Sequence, residues 1–127
     1  ERAREMTVLV VDDEKIMRRL LVVMVENLGV GTVVEAANGD EALVQVKRAE
    51  PDVILCDINM APMDGISFVQ ALRALDFPGL REIPVLFLTA DSNVDTVSEA
   101  MKLQVSGYLV KPISQENLAQ QLERLFP

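Results

Sequence analysis

Five short apolar runs, spaced along the whole chain, limit its fold more than any other feature. They are rich in Val, Leu and Ile and are apolar on consecutive residues, not on alternate ones. That pattern is typical of strands buried on both faces, as in a parallel sheet. We predict strands at Thr7–Val11, Thr32–Ala36, 52–56, 84–89 and Gly107–Val110.

Segments with helical spacing of apolar residues follow each predicted strand. The first has a stripe of Ile16, Leu20, Val23 and Asn27/Leu28, of the kind that packs on a sheet, and Gly29 is its expected C-terminal cap. The other four stripes are Ala42, Val46 and Ala49; Ile66, Val69, Leu72 and Leu75; Val94, Val97 and Met101; and Ile113, Leu118, Leu122 and Leu125.

Polar residues in front of three of these stripes fit helix N-terminal caps. They are Asn38 before the second stripe, Ser92 with Asp95 before the fourth, and Ser114 before the fifth. Strands that alternate with helices predict βαβ units around a parallel sheet. We therefore expect an α/β doubly wound (βα)5 fold, in one domain over residues 1–127 with its core at 7–126.

Charge and composition exclude several classes of function. Twelve Lys and Arg face 20 Asp and Glu, which gives a net charge of −8. Such a surface repels nucleic acid, so we expect no direct binding to DNA or RNA. Histidine is absent. Its absence excludes Ser-His-Asp triads, His-ligated zinc sites and a phosphohistidine within this chain.

Localisation follows from a few further features. Cys56 is the single cysteine, so no internal disulfide forms, and we expect it to be a small buried hydrophobic residue. We find no secretory signal, and no apolar run approaches the ~20 residues of a membrane span. We predict a cytoplasmic protein without membrane insertion. Because the chain begins at Glu1, we expect it to be processed or taken from a longer protein.

Reactive side chains stand where four of the predicted strands end. Asp12 and Asp13 follow the first strand, Asp57 the third, Thr89 ends the fourth and Lys111 follows the fifth. In an open parallel sheet the carboxyl ends of strands form the ligand site. Clustered carboxylates repel one another and need a cation or protons, and an all-oxygen ligand set suits Mg²⁺. A helix-capping role explains Asp12 or Asp13 alone, but not the combination.

This set of groups fits phosphoryl transfer. One carboxylate acts as the nucleophile, as in aspartyl-phosphate enzymes. In such a site Lys111 would pair with one phosphoryl oxygen and Thr89 would donate a hydrogen bond to another, while a metal ion held by the carboxylates would neutralise charge on the phosphoryl group.

Six sequence motifs, taken in order, resemble the receiver domain of two-component response regulators, of the single-domain chemotaxis-regulator type. They are VLVVDDE (8–14), VVEAANGDEAL (33–43), PDVILCDINM (51–60), MDG (63–65), IPVLFLTA (83–90) and GYLVKP (107–112). The resemblance extends over nearly the whole chain. It implies a flavodoxin-like fold with strand order 2-1-3-4-5.

The resemblance also implies roles for the acidic residues. Asp57 is the expected phosphoacceptor. Asp13 and Asp57 are expected to ligate Mg²⁺ directly, Asp12 to act mainly through water, and Asn59 to contribute its backbone carbonyl. Asn59 and Asp91 also match positions that tune the rate of dephosphorylation.

The remaining implied roles concern the switch and the last strand. Thr89 matches the switch hydroxyl, which moves toward the phosphoryl group, and Tyr108 matches the aromatic switch residue. A lone Tyr at a strand end is otherwise a half-buried packing residue. The Lys111–Pro112 peptide bond is expected to be cis. Two departures from the family pattern are Pro62, one place later than usual, and Gln104, where many relatives have Gly.

The implied function is that of a signalling switch and not of an enzyme with an external substrate. A histidine kinase or phosphotransfer protein would donate the phosphoryl group, docking on residues 15–19 and 112–114. The surface of the fourth predicted helix, the last strand and the fifth predicted helix would signal to an output partner or domain. We expect a monomer or a weak homodimer through these two helices.

Two alternatives remain at this point. The chain fits a receiver module excised from a hybrid kinase or multidomain regulator equally well. A phosphatase of the haloacid-dehalogenase type also uses Asp, Thr and Lys at strand ends. Those enzymes need a second Asp two residues after the nucleophile as general acid, and Asn59 stands there.

Overall fold

A single parallel sheet of five strands forms the centre of the computed structural model, which describes residues 2–61, 63–90, 98 and 101–126. The strand order is β2-β1-β3-β4-β5 and every pairing is parallel. The predicted doubly wound, flavodoxin-like fold and its strand order are therefore confirmed. The strands are β1 (Thr7–Val11), β2 (Thr32–Ala36), β3 (Val53–Asp57), β4 (Val85–Thr89) and β5 (Gly107–Val110).

Three of the strands have the predicted bounds, while β3 and β4 begin one residue later. Asp52 stays outside β3, and its Oδ2 accepts the N–H of Thr7 at 2.8 Å. Pro84 lacks an N–H group and contributes only its carbonyl, which accepts the N–H of Ile54 at 2.9 Å. Asp57 is the last residue of β3 and pairs with Leu88, so it belongs to the sheet instead of following it.

Among the described residues, four helices of nine or more residues pack on the sheet. They are α1 (Lys15–Glu26), α2 (Gly39–Ala49), α3 (Gly65–Arg73) and a C-terminal helix (Gln115–Leu125). Shorter helices cover Arg2–Glu5 and Pro78–Arg81.

Side-chain caps begin three of these helices. Asn38 accepts the N–H of Glu41 at 2.9 Å, and Ser114 accepts that of Asn117 at 3.0 Å, as predicted. Asp64 accepts the N–H of Ser67 at 2.8 Å, a cap that we did not predict. The polar residues in front of α2, α3 and the C-terminal helix thus fix where each helix starts.

The apolar stripe predicted for α1 is not the side of the helix that faces the sheet. Ile16 is 83% exposed, and Leu20 and Val23 are each 51% exposed. The helix buries another face instead, which carries Leu21, Val22 and Val25. Residues 20–25 are all apolar, so more than one stripe can be drawn along the helix, and packing against the sheet decides between them.

The core is divided by the sheet into two apolar layers, as expected for a doubly wound fold. One layer joins β1, β3 and β4 to α2 and α3 through residues that include Val46, Phe68, Val69 and Phe87. The other joins the sheet to α1 and the C-terminal helix through residues that include Leu21, Val25, Leu118 and Leu122. The edge strands β2 and β5 are less buried than the three central ones.

The fourth predicted helix lies mostly outside the described residues. Val94, Val97 and the predicted capping pair Ser92 and Asp95 are among the residues not described. The chain after it turns at Gln104, which has a φ of 60° in the left-handed region where glycine is favoured. Within the part that the structure describes, no helix is long and apolar enough to span a membrane.

Candidate functional site

Three carboxylates meet at the carboxyl edge of the sheet. β1 and β3 are neighbours, so Asp12, Asp13 and Asp57 come together, with one oxygen from each within 4.8 Å of the others. Asp12 and Asp57 are buried, whereas Asp13 is exposed. The predicted acidic cluster therefore forms, and its open side is at Asp13.

Both oxygens of Asp57 accept hydrogen bonds. Oδ1 accepts the N–H of Asn59 at 3.1 Å, and Oδ2 accepts a bond from Nζ of Lys111 at 3.3 Å. Burial raises the pKa of Asp57 above its ordinary value of 3.8. The Asn59 hydrogen bond and the charge of Lys111 lower this pKa, whereas the charge of Asp12 adds to the rise.

Asp12 has one satisfied and one unsatisfied oxygen. Its Oδ1 accepts the N–H of Glu14 at 2.9 Å. Its Oδ2 is buried and accepts no hydrogen bond from the residues that the structure describes, and the nearest cation, Nζ of Lys111, is 3.8 Å away. A buried carboxylate oxygen without a partner is costly, and a cation would compensate it. Three carboxylates of this kind fit a hard divalent cation such as Mg²⁺.

Lys111 reaches the cluster from the far side of β4. Its backbone N–H donates to the carbonyl of Thr89 at 2.7 Å, which holds the end of β5 against the end of β4. Its ammonium then lies 3.3 Å from Oδ2 of Asp57 and 3.8 Å from Oδ2 of Asp12. The Lys111–Pro112 peptide bond is cis in the structure.

The loop after β3 closes part of the site. Oδ2 of Asp13 accepts the N–H of Ala61 at 3.4 Å, which links this loop to the end of β1. Asn59 is exposed, and its backbone N–H donates to Oδ1 of Asp57. Pro62 and Asp91 lie outside the described residues.

The two predicted switch residues lie on adjacent strands. Thr89 ends β4 and is 1% exposed, one residue beyond the Leu88 that pairs with Asp57. Tyr108 lies in β5, opposite Phe87, and is 38% exposed. Thr89 is thus buried at the acidic edge of the sheet, whereas Tyr108 is open to solvent.

Cys56 precedes Asp57 and is fully buried. Burial raises the pKa of its thiol well above 9.0, and the charges of Asp57, Asp12 and Asp64 raise it further. The thiol is therefore neutral at physiological pH and packs as a small apolar side chain.

Sequence reasoning missed two residues that support the site. A Cβ atom on Gly65 would lie 2.6 Å from the carbonyl oxygen of Asp57, so only glycine lets α3 begin so close to β3. The MDG motif was the signal for it. Arg18 donates from Nη1 to the carbonyl oxygen of Asp12 at 2.7 Å, and no sequence pattern pointed to this contact.

Comparisons with known proteins agree with this geometry. The sequence model of the response regulator receiver domain family matches residues 8–123. Chemotaxis protein CheY-3 of Vibrio cholerae serotype O1 is 34% identical over 123 residues, which cover 97% of this chain and 93% of that protein. Transcriptional regulatory protein ZraR of Escherichia coli strain K12 is 38% identical over 117 residues, which cover 92% of this chain and 25% of that protein.

A solved structure has the same fold as this chain. That of Vibrio cholerae chemotaxis protein CheY4 superposes with a TM-score of 0.88 at 34% identity, over 95% of this chain and 98% of that one. The matches indicate a phosphoacceptor signalling role and not a classical enzyme family. From its fold, its acidic site and these matches, the chain belongs to the response regulator receiver domain family.

Proposed function

We propose that this chain is a signalling switch that accepts a phosphoryl group on Asp57 in a Mg²⁺-dependent reaction. One observation carries the proposal: the Asp57 carboxylate accepts a bond from the Lys111 ammonium at 3.3 Å and clusters with the carboxylates of Asp12 and Asp13. In the transfer, an Asp57 oxygen forms a bond to phosphorus. The P–N bond of a phosphohistidine donor breaks, and its electron pair returns to the imidazole nitrogen.

The chain's own residues have distinct tasks in this reaction. Lys111 neutralises charge on a phosphoryl oxygen, since its ammonium already donates to Asp57 at 3.3 Å. Thr89 donates a hydrogen bond to a second oxygen. Asp13, Asp57 and the carbonyl of Asn59 would hold Mg²⁺, with Asp12 acting through water. When bound, the ion neutralises charge on the phosphoryl group and positions it.

The phosphorylated chain would then change its surface. We propose that Thr89 moves toward the phosphoryl group and that Tyr108 turns inward as it does so. This is a population shift between two conformations, biased by the new contacts. The exposed apolar residues Met101, Tyr108 and Val110 support an output surface near β5, because a partner can bury them.

The phosphoryl donor must be another molecule or another domain, because this chain contains no histidine. We propose a histidine kinase or a phosphotransfer protein that docks on the first turns of α1 and on residues 112–114. Ile16 and Leu20 support this surface, because they are exposed and lie four residues apart on one side of α1. The cytoplasmic location, the single domain over 1–127 and the monomeric or weakly dimeric state remain predictions.

The test is a titration with beryllofluoride and Mg²⁺, followed by ¹H–¹⁵N NMR of the backbone amides. We expect shifts at Asp57, Thr89 and Tyr108 that vanish in Asp57→Asn and in the presence of EDTA. Asp52→Asn is the matched control, because it changes an exposed Asp outside the site. An equal response in Asp57→Asn would overturn the assignment.

A second arrangement also fits the comparisons. The chain matches one quarter of ZraR, so a receiver of this kind can be part of a longer regulator. The length of the reading frame that encodes the chain distinguishes this arrangement from a stand-alone protein. Phosphatase activity of the haloacid-dehalogenase type lacks support, because Asn59 cannot act as the required general acid.

A further inference from the structure

Arg18 connects α1, β2 and the turn after β1, next to the acidic cluster. Its Nη1 donates to the carbonyl oxygen of Asp12 at 2.7 Å, and its Nε donates to Oε1 of Glu35 in β2 at 3.0 Å. The side chain is only 14% exposed. One guanidinium on α1 therefore holds both β2 and the turn that follows β1.

We propose that Arg18 is a positioning residue for the metal-binding acids. The carbonyl oxygen of Asp12 belongs to the peptide unit that joins Asp12 to Asp13. A hydrogen bond to this oxygen restrains the rotation of that peptide plane and with it the direction of both side chains. The inference rests on the proposed Mg²⁺ site, since it concerns how well the acids bind that ion.

The other hydrogen bonds of Asp12 do not involve the carbonyl oxygen of the Asp12–Asp13 peptide. The N–H of Asp12 donates to the carbonyl of Ala36 at 3.2 Å, and its Oδ1 accepts the N–H of Glu14. These bonds hold the start of the turn and one carboxylate oxygen. Within the described residues, the Arg18 guanidinium is the side-chain donor to the Asp12 carbonyl.

A guanidinium suits this task better than an ammonium. Its donors stand in a rigid planar fork, so one group can bind a carbonyl and a carboxylate at the same time. Lysine offers one nitrogen on a flexible stem and cannot replace both Nε and Nη1 of Arg18. Glu35 holds the guanidinium from the other side, which fixes its orientation.

The charge of Arg18 and its hydrogen bond to Asp12 should have opposite effects on Mg²⁺ affinity. As a cation, Arg18 repels a divalent ion, so loss of its charge alone would strengthen binding. Loss of the hydrogen bond to Asp12 would weaken it. Arg19 provides the matched control, because it pairs with the other oxygen of Glu35 at 2.7 Å but is 64% exposed.

The experiment is an Mg²⁺ titration of the whole chain, followed by NMR shifts of the Asp13 and Asn59 amides. We expect Arg19→Met to bind Mg²⁺ as tightly as the wild type or slightly more tightly. We expect Arg18→Met to bind about 10-fold more weakly or worse, the usual effect of losing a residue that orients metal ligands. Unfolding in EDTA establishes that each variant is folded at the titration temperature.

Three outcomes separate the hypotheses. If the wild type does not bind Mg²⁺, the proposed function itself fails. If the wild type binds and Arg18→Met binds as tightly as Arg19→Met, only the positioning role is wrong. If Arg18→Met does not fold, Arg18→Lys against Arg19→Lys makes the same comparison at constant charge, and equal affinity there overturns the inference.

Discussion

Nζ of Lys111 lies 3.3 Å from Oδ2 of Asp57, although β4 separates β3, which ends at Asp57, from β5, which Lys111 follows. Lys111 spans that strand because its backbone is held to the carbonyl of Thr89 at the end of β4. The ion pair counteracts the burial that raises the pKa of Asp57. Lys111 thus favours the charged, nucleophilic form of the buried Asp57 carboxylate.

Replacing Lys111 with Met should raise the pKa of Asp57 further, because both the charge and the hydrogen bond of Lys111 lower it. Carboxyl ¹³C NMR titration of Asp57 measures this pKa directly. Phosphorylation by acetyl phosphate should slow by about 10-fold or more, since a charged hydrogen bond contributes ~1.5–3 kcal/mol. Lys47→Met, at an exposed position of α2, should change neither quantity. An unchanged Asp57 pKa in Lys111→Met would contradict the ion pair.

Replacing Asp57 with Asn should stabilise the metal-free fold at pH 7. Burial raises the pKa of folded Asp57 above 3.8, so the folded state binds its proton more tightly than the unfolded state. Its contribution to stability therefore falls as pH rises from about 3.8 through the raised value, and stays low above it. An Asn side chain does not ionise, so the Asp57→Asn variant does not lose this stability as pH rises.

Urea unfolding in EDTA across this pH range measures the effect. The advantage of Asp57→Asn should shrink as pH falls through the raised pKa of Asp57. Asp52→Asn, which removes an exposed carboxylate outside the site, is the matched control. A stability difference that is independent of pH would show that ionisation of Asp57 is not its cause.

Gly65→Ala should destabilise the fold by about 1–3 kcal/mol, the usual range for overpacking. Its Cβ atom would lie 2.6 Å from the Asp57 carbonyl oxygen and 2.8 Å from Cα of Ile58, both of them backbone atoms. Gly79→Ala is the control, because a Cβ atom there meets nothing within 4 Å. That control should be neutral or stabilise by up to about 1 kcal/mol. Equal free energies of unfolding for the two variants would contradict this packing.

Strand pattern and topology made most of the fold and the acidic cluster predictable. Buried parallel strands show as consecutive apolar runs, so the strands were located to within one residue. The carboxyl ends of such strands must share one edge of the sheet. That rule, together with the strand order that the resemblance implies, predicts that Asp12, Asp57 and Lys111 lie close together.

The remaining features depend on packing between distant parts of the chain. The buried face of α1 could not be inferred, because a continuous apolar stretch such as residues 20–25 offers several equivalent stripes. The hydrogen bond from Arg18 ends on a backbone carbonyl, and a carbonyl leaves no mark in the sequence. The need for Gly65 arises only when α3 meets the end of β3.

Phosphorylation of Asp57 is measured most directly by intact-mass and peptide-level mass spectrometry after incubation with acetyl phosphate and Mg²⁺. We predict one added phosphoryl group on the whole chain, located at Asp57 after borohydride reduction of the acyl phosphate. The modification should be absent with EDTA and absent in Asp57→Asn. No modification of the wild type, or equal modification of wild type and Asp57→Asn, would contradict the assignment of Asp57 as the phosphoacceptor.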